Sequence, residues 1–356
     1  MELEEIVRRL KVWEEGGKAG PVRMELHLTD KCNLNCIFCW RAAQKPKNTK
    51  ELSKRKVLQI VREAAELKVK EWIVSGGGEP LMRKDVTFAA LKEIKKYRMW
   101  GLLTTNGTLL KEKDANFLVK IGWDQVQLSI DGPNPKINDF LRPPNSFVRI
   151  MKAIEYLKKA KKLNKSSKPI VGFNTIINKL NYDKLDEMIE LAYEVGVDLV
   201  YFEPIYPGYS KIDLRIPENK KELIKNVKKA ERLSRKLKVS TNVKEFLEYH
   251  LLDKTDLRKK MLEEVKNIKG FKGVPCFRPW YLMGIKASGF AGCCSTFERG
   301  EFIQGKTLKE VWFGKVFNQL RKEMLEKKQP DYCSKCSIVV LMENRRLREM
   351  LNGRKD

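Results

Sequence analysis

Val22-Arg23-Met24-Glu25-Leu26-His27-Leu28-Thr29 runs directly into Asp30-Lys31-Cys32-Asn33-Leu34-Asn35-Cys36-Ile37-Phe38-Cys39. The first eight residues read as an apolar β-strand. The next ten read as a loop with three cysteines in C-x3-C-x2-C spacing. Three thiolates on one loop can hold three irons of a cubane cluster and leave the fourth iron open to a small chelating ligand. Half of a zinc site is the competing reading of the same spacing.

Outward from this stretch, apolar strands and amphipathic helices alternate. Strands are predicted over 22–29, 71–76, 99–106, 125–131, 170–177 and 198–204. Helices are predicted near 53–67, 85–97, 111–121, 146–163, 182–195 and 218–237, after a short N-terminal helix at about 3–15. Ser53 is placed to cap the first of the six, because its hydroxyl can accept from the orphan N–H groups of the first turn. Behind it Val57, Leu58, Val61, Ala64, Ala65 and Leu67 form an apolar stripe. Gly196 is the expected left-handed stop of the fifth.

Six strand–helix units imply an α/β fold, with a parallel sheet and helices on its outer face. They are too few for a closed eight-fold barrel. The expectation is a partial (β/α)6 TIM-type barrel whose functional groups collect after the C-terminal strand ends. The division predicted is an N-terminal helix (1–19), the barrel (20–240), linking helices (241–273), and a small α+β unit with a basic helical tail (274–356).

Composition narrows the chemistry. The 356 residues, 42% hydrophobic, allow a substantial core, and no apolar run approaches membrane-spanning length. The start, Met1-Glu2-Leu3-Glu4-Glu5, is acidic and lacks the pattern of a signal peptide, so the expected location is cytoplasmic. In a reducing compartment eight clustered cysteines read as metal ligands or catalytic groups. The two histidines, His27 and His250, argue against a His-rich zinc site or a Ser-His-Asp triad. The net charge of +26 admits nucleic acid or another anionic partner. A Lys/Glu-rich surface explains it as well. The absence of interleaved aromatic and basic residues disfavours nucleic acid.

Five cysteines fall after 274. Cys276 and Cys294 are separated by seventeen residues, enough for a hairpin that returns its ends together, and Cys333-Ser334-Lys335-Cys336 is a C-x2-C. Four such thiolates can close a four-iron cluster or bind one zinc, and spacing leaves both open. Cys293 is the odd one out, a buried spare thiol or an alternative ligand.

The first cysteine loop resembles the radical S-adenosylmethionine superfamily, whose motif is C-x3-C-x2-C with an aromatic residue before the last cysteine; Phe38 stands there. The resemblance implies that S-adenosylmethionine chelates the open iron of a 4Fe–4S cluster held by Cys32, Cys36 and Cys39. One electron then gives a 5′-deoxyadenosyl radical that abstracts hydrogen from substrate. Gly77-Gly78-Glu79-Pro80 resembles the family's GGEP motif, which implies contact with the methionyl ammonium by backbone and Glu79. Asn106, Ser129, Asp131, Arg142 and Asn174, at or after the later strand ends, are the implied ribose and carboxylate contacts.

Cys276-Phe277-Arg278-Pro279-Trp280, Gly289, Cys294, Leu308 to Trp312 and the final C-x2-C resemble the SPASM extension or its short form, twitch. No cysteine follows Cys336, which favours the short form, with one auxiliary 4Fe–4S cluster on Cys276, Cys294, Cys333 and Cys336. Such a cluster would take up an electron from the substrate radical, its potential set by surroundings. Glu203, Tyr201 and Asp131 are candidate bases, with packing as the competing reading, and no catalytic residue is assigned.

The expected function is modification of a peptide or a small biosynthetic intermediate, with a low-potential donor such as ferredoxin or flavodoxin. The roughly twelve residues before the barrel are too short for a peptide-recognition domain, which counts against ribosomal-peptide maturation. Modification of RNA or a phosphorylated cofactor precursor is the alternative enzyme, and a zinc- or cluster-binding interaction module is the non-catalytic alternative.

Overall fold

Parallel strands need both faces covered, and the alternation of apolar strands with amphipathic helices supplies that cover. The computed structural model describes residues 3–39, 41, 50–205, 210–217, 219–246, 254–294 and 298–353. Strands β1 (Arg23–His27), β2 (Glu71–Ser75), β3 (Trp100–Thr105), β4 (Gln125–Ser129), β5 (Ile170–Ile177) and β6 (Leu199–Pro204) pair in parallel in chain order. Met24, Trp72, Leu103, Val126, Phe173 and Val200, one from each strand, are buried in a single core.

The helices of this part are α1 (Leu3–Glu14), α2 (Lys54–Glu66), α3 (Lys84–Lys96), α4 (Glu112–Lys120), α5 (Pro135–Leu141), α6 (Ser146–Leu163), α7 (Leu185–Val195) and α8 (Lys220–Leu237). Ser53 accepts from Lys56 N at 3.2 Å, a cap worth about 1 kcal/mol. The buried face of α2 is Val57, Ile60, Val61 and Ala64, so Ile60 joins the expected stripe while Leu58, Ala65 and Leu67 are half-buried at its margin. Gly196 ends α7 at φ +71°, the left-handed geometry expected of it.

The chain from 274 onward returns to β1. Strand β8 (Leu282–Ile285) lies parallel to β1 on the side away from β2, with Met24 opposite Met283. Strands β9 (Phe290–Gly292) and β10 (Glu301–Phe302) follow antiparallel. With β7 (Ser240–Thr241) on the far edge, the sheet runs β10-β9-β8-β1-β2-β3-β4-β5-β6-β7. The two end strands are not paired with each other, so this is an open, partial TIM-type barrel extended at its first strand. The hairpin of the second cysteine region is thereby hydrogen-bonded to the strand that carries the first.

Helices α9 (Lys254–Lys266), α10 (Arg278–Tyr281), α11 (Leu308–Trp312), α12 (Lys315–Leu325) and α13 (Ile338–Leu351) complete the chain. Helices α11 and α12 are separated at Gly314. Strand β7 falls at the edge of a segment expected to be helical throughout, and α5, too short for a clear periodicity, was not expected. Ile6 and Leu10 of helix α1 pack with Phe277, Trp280, Tyr281 and Leu347 of the C-terminal region. Among the described residues no helix is long and apolar enough to cross a membrane.

Candidate functional site

The loop after β1 is held in place by the turn after β2. Gly78 N donates to Thr29 O at 2.8 Å and Glu79 N to Lys31 O at 2.8 Å. A Cβ on Gly77 would lie 2.2 Å from Asp30 Oδ1, and one on Gly78 would lie 1.9 Å from Lys31 O. Glycine is required here so that the turn can press against the cysteine loop, rather than chiefly so that a ligand can approach.

Cys32, Cys36 and Cys39 line one cavity of about 570 Å³, within the range of small-ligand sites. Leu34 N donates to Cys32 Sγ at 3.4 Å, and Asn106 Nδ2 and Arg142 Nη1 each donate to a thiol sulfur, Cys32 and Cys36 respectively, at 3.9 Å. Burial pushes the Cys36 thiol up to about 11, against the pull of Arg142, and raises Cys32 as well. Loading metal on these sulfurs therefore releases protons and is favoured by high pH.

Phe38, Gly77, Gly78, Glu79, Asn106, Ser129, Arg142, Asn174 and Glu203 also line the cavity, so the structure gathers most of the residues singled out from sequence. Arg142 is buried, and its guanidinium carbon lies 5.6 Å from the centre of the Phe38 ring. Asn174 Oδ1 is buried without a hydrogen-bond partner. A hydroxyl or amino donor, such as those of an adenosyl group, would satisfy it.

Three residues are placed otherwise than expected. Glu79 is 2% exposed. Its Oε1 accepts from Leu81 N (2.9 Å) and Thr105 Oγ1 (2.6 Å), and its Oε2 accepts from Asn106 N (2.7 Å). It ties the ends of β2 and β3 together. Pro80 opens the 3-10 turn Pro80–Arg83 outside the cavity lining. Asp131 is fully buried behind Arg142, accepting from Arg142 Nε at 2.6 Å and Ile176 N at 2.8 Å, so it positions the arginine and does not face a ligand.

Of the other base candidates, Tyr201 does not line the cavity, and burial raises its hydroxyl well above the usual range. Glu203 is half-buried, and burial, helped by the charge of Asp131, pushes it up to about 7. His27, Ser75, Lys286, Glu298 and Ser337 complete the far wall. Sequence reading missed these because Lys286, Glu298 and Ser337 arrive only through the pairing of β8 with β1. Burial holds the His27 imidazole down at about 4, with Lys286 acting in the same direction, so it is neutral at pH 7. His250 lies outside the described residues.

At the second cysteine region, Cys294 follows β9, while Cys333 and Cys336 sit in and just after the 3-10 turn Asp331–Lys335 that precedes α13. The thiols of Cys276, Cys294, Cys333 and Cys336 lie within electrostatic reach of one another. Burial pushes Cys276 and Cys333 up to about 12. Cys293 points into the apolar core and is 5% exposed. Among the described residues no three cysteine, histidine or carboxylate side chains gather closely enough to hold a single metal ion. A cubane spreads its thiolates more widely than the roughly 2.3 Å zinc–sulfur bonds of a mononuclear site would. Buried Arg278 stands next to these cysteines with Nε and Nη1 unpartnered, a complement to an anionic guest.

Residues 26–192 match the family model of the radical SAM superfamily, and residues 276–337 match that of SPASM, an iron–sulfur cluster-binding domain. The chain carries a radical SAM domain and a SPASM domain. Its cofactors are accordingly S-adenosylmethionine, a 4Fe–4S cluster and auxiliary iron–sulfur, and the thiol sets, the cavity and the orphaned Asn174 oxygen fit them.

Among similar proteins is the mycofactocin maturase MftC of Mycolicibacterium smegmatis, 31% identical over 199 residues, which are 54% of this chain and 47% of that one. A probable GTP 3′,8-cyclase of Thermococcus kodakarensis is 27% identical over 224 residues, 58% of this chain and 70% of the relative. The crystal structure of Streptococcus suis SuiB bound to S-adenosylmethionine shares the fold, with a TM-score of 0.66 at 18% identity over 93% of this chain and 74% of that one. The radical SAM protein spans less than half the length of the first curated relatives it matches.

Proposed function

We propose that this radical SAM protein cleaves S-adenosylmethionine reductively and uses the resulting radical to oxidise or cross-link a peptide or to modify a small biosynthetic intermediate. The observation that carries this reading is the cavity lined together by the Cys32–Cys39 loop, residues 76–78, Arg142 and Asn174. In this reading Cys32, Cys36 and Cys39 hold the first cluster, and Cys276, Cys294, Cys333 and Cys336 hold one auxiliary cluster. The barrel is assigned to 20–240 and the auxiliary unit to 274–356. A cytoplasmic location and a ferredoxin- or flavodoxin-like donor accord with the need for low-potential electrons.

When bound, the clusters would supply one-electron chemistry, the first as the electron source for reductive cleavage of S-adenosylmethionine and the second as an acceptor for the electron that the substrate radical loses. The protein's own groups do the rest. The 76–78 backbone receives the methionyl ammonium, Arg142 offers its charge to the carboxylate, and Asn174 accepts from the adenosyl group. Substrate occupies the far wall, between Glu203 and Lys286. The fold shared with Streptococcus suis SuiB, which is also solved bound to its precursor peptide SuiA, supports a peptide. The similarity to a probable GTP cyclase, with Lys286 in the wall, supports a phosphorylated precursor as the second reading. Anaerobically reconstituted protein with dithionite is expected to release 5′-deoxyadenosine, followed by chromatography; no release would contradict the proposal.

Glu203 is placed to take the proton that substrate oxidation sheds. A base must be ionised, and Glu203 is protonated below about 7. Substrate turnover is therefore expected to rise about tenfold per pH unit up to about 7 and level off above it. Glu203→Gln should remove that inflection while still producing 5′-deoxyadenosine without substrate. An unchanged pH profile in the glutamine variant would exclude the role.

A further inference from the structure

Three buried arginines lie in the part of the fold that carries the auxiliary cysteines, and their hydrogen-bond donors are only partly used. Arg278, Arg321 and Arg348 are 8%, 4% and 6% exposed. Each uses some of its donors to fasten the fold. Arg348 Nη2 donates to Val274 O at 2.7 Å, and Arg321 Nε to Pro279 O at 3.0 Å. Arg278 Nη2 lies 3.7 Å from Glu343 Oε2.

Each also keeps buried nitrogen without a hydrogen-bond partner: Nε and Nη1 of Arg278, Nη2 of Arg321 and Nη1 of Arg348. An orphaned donor on a buried cation costs more than one on a neutral group. Three in one region point to an absent acceptor. Carboxylates offset part of the charge, Glu343 and Glu25 acting on Arg278 and Glu264 and Glu349 on Arg348, but none of them takes up the orphaned donors. Glu343 is shared, accepting from Arg23 Nη1 at 2.7 Å and from the Tyr281 hydroxyl at 2.6 Å. Arg321 is enclosed by the rings of Trp13 and Trp312, at 4.7 and 4.5 Å, with no acidic side chain hydrogen-bonded to it among the described residues.

The three converge on sulfur. Arg278 acts on the thiols of Cys276 and Cys293, Arg348 feels Cys276, and Arg321 feels Cys293. A four-thiolate iron–sulfur cluster is anionic and gains one more negative charge on reduction. Positive charge held nearby in a low-dielectric interior stabilises the reduced form more than the oxidised one.

We propose that Arg278, Arg321 and Arg348 form a cationic cage that raises the reduction potential of the auxiliary cluster and so makes it an electron acceptor. The proposal rests on the assignment of that cluster to Cys276, Cys294, Cys333 and Cys336. Arg278 carries the largest share, having two orphaned donors and the shortest sequence distance to a ligand. Arg321 and Arg348 act at longer range.

The test uses the full chain with Cys32, Cys36 and Cys39 replaced by alanine, so that only the auxiliary site is read. After anaerobic reconstitution, iron is counted and the potential is measured by EPR-monitored redox titration. Arg278→Met is expected to shift the oxidised-to-reduced ratio at fixed potential at least tenfold toward oxidised, a fall of about 59 mV for one electron. Arg278→Lys, which keeps the charge, should stay close to the parent. Arg348→Met should shift the same way by less, and it is the readout if Arg278→Met does not fold. Neutral variants that keep their iron at the parent potential overturn the proposal. Loss of iron from both neutral variants also overturns it, because residues that only hold the fold would give that result. A triple-cysteine parent that binds no iron would sink the cluster assignment itself.

Discussion

Replacing Cys36 by alanine is expected to take 5′-deoxyadenosine formation below detection while leaving about four irons per chain on the C-terminal cysteines. The two effects separate because the sites draw on different parts of the chain. Cys36 sits in the loop after β1, its sulfur held by Arg142 Nη1 at 3.9 Å, whereas Cys276 lies just before α10, Cys294 just after β9, and Cys333 and Cys336 at the turn before α13. Changes to groups that merely orient a ligand cost about 10- to 100-fold. Removing one of only three ligands exceeds that, since a cubane held by two thiolates has no stable anchor. Iron content and product are measured on one reconstituted sample. Product at the parent rate, or loss of all iron together, would contradict the two-site assignment.

Asp131→Ala should be among the most destabilising single changes in the barrel, by roughly 3–5 kcal/mol in urea unfolding. The carboxylate is fully buried and accepts from Arg142 Nε and Ile176 N, while its backbone carbonyl accepts from Asn181 Nδ2 at 2.8 Å. Burial alone would push the Arg142 guanidinium down, and Asp131 outweighs that to hold it above its ordinary value. Without the partner, Arg142 becomes an uncompensated buried charge in the wall of the cavity. Asp131→Asn keeps the shape and one acceptor, so its loss should be smaller, with weakened binding of S-adenosylmethionine as the remaining signature. A change below 1 kcal/mol for the alanine variant would mean that the pair contributes little to the fold.

Asp131 and Glu79 also show where sequence reading stops. Both were expected to face the cosubstrate because of the resemblance of their strand ends to the family's motifs. Nothing local distinguishes a carboxylate aimed into the cavity from one that ties two strand ends together. Glu79 is saturated by Leu81, Thr105 and Asn106, and Asp131 by Arg142 and Ile176, and apart from Leu81 these partners lie on other elements. The cysteine loop, by contrast, was legible because its three sulfurs are local and their spacing is itself the signal.

The same distinction holds for the fold. The six barrel strands were visible as apolar runs, since parallel strands covered on both faces need continuous hydrophobic sequence. The attachment of the C-terminal region was not. Residues 282–285 give no indication that they will lie beside β1, and that pairing brings Lys286, Glu298 and Ser337 into the wall. Short elements such as α5 and β7 escaped because their boundaries come from packing and not from periodicity. The cage of Arg278, Arg321 and Arg348 likewise draws on three separate helices.

The central claim is that three sulfurs from one loop leave an iron vertex free for the cosubstrate. It is tested most directly by EPR of the dithionite-reduced, reconstituted protein before and after S-adenosylmethionine is added. The account predicts that the signal of one cluster changes on addition and that the change is missing when Cys32, Cys36 and Cys39 are alanine. A spectrum indifferent to S-adenosylmethionine in protein that retains about eight irons would contradict it.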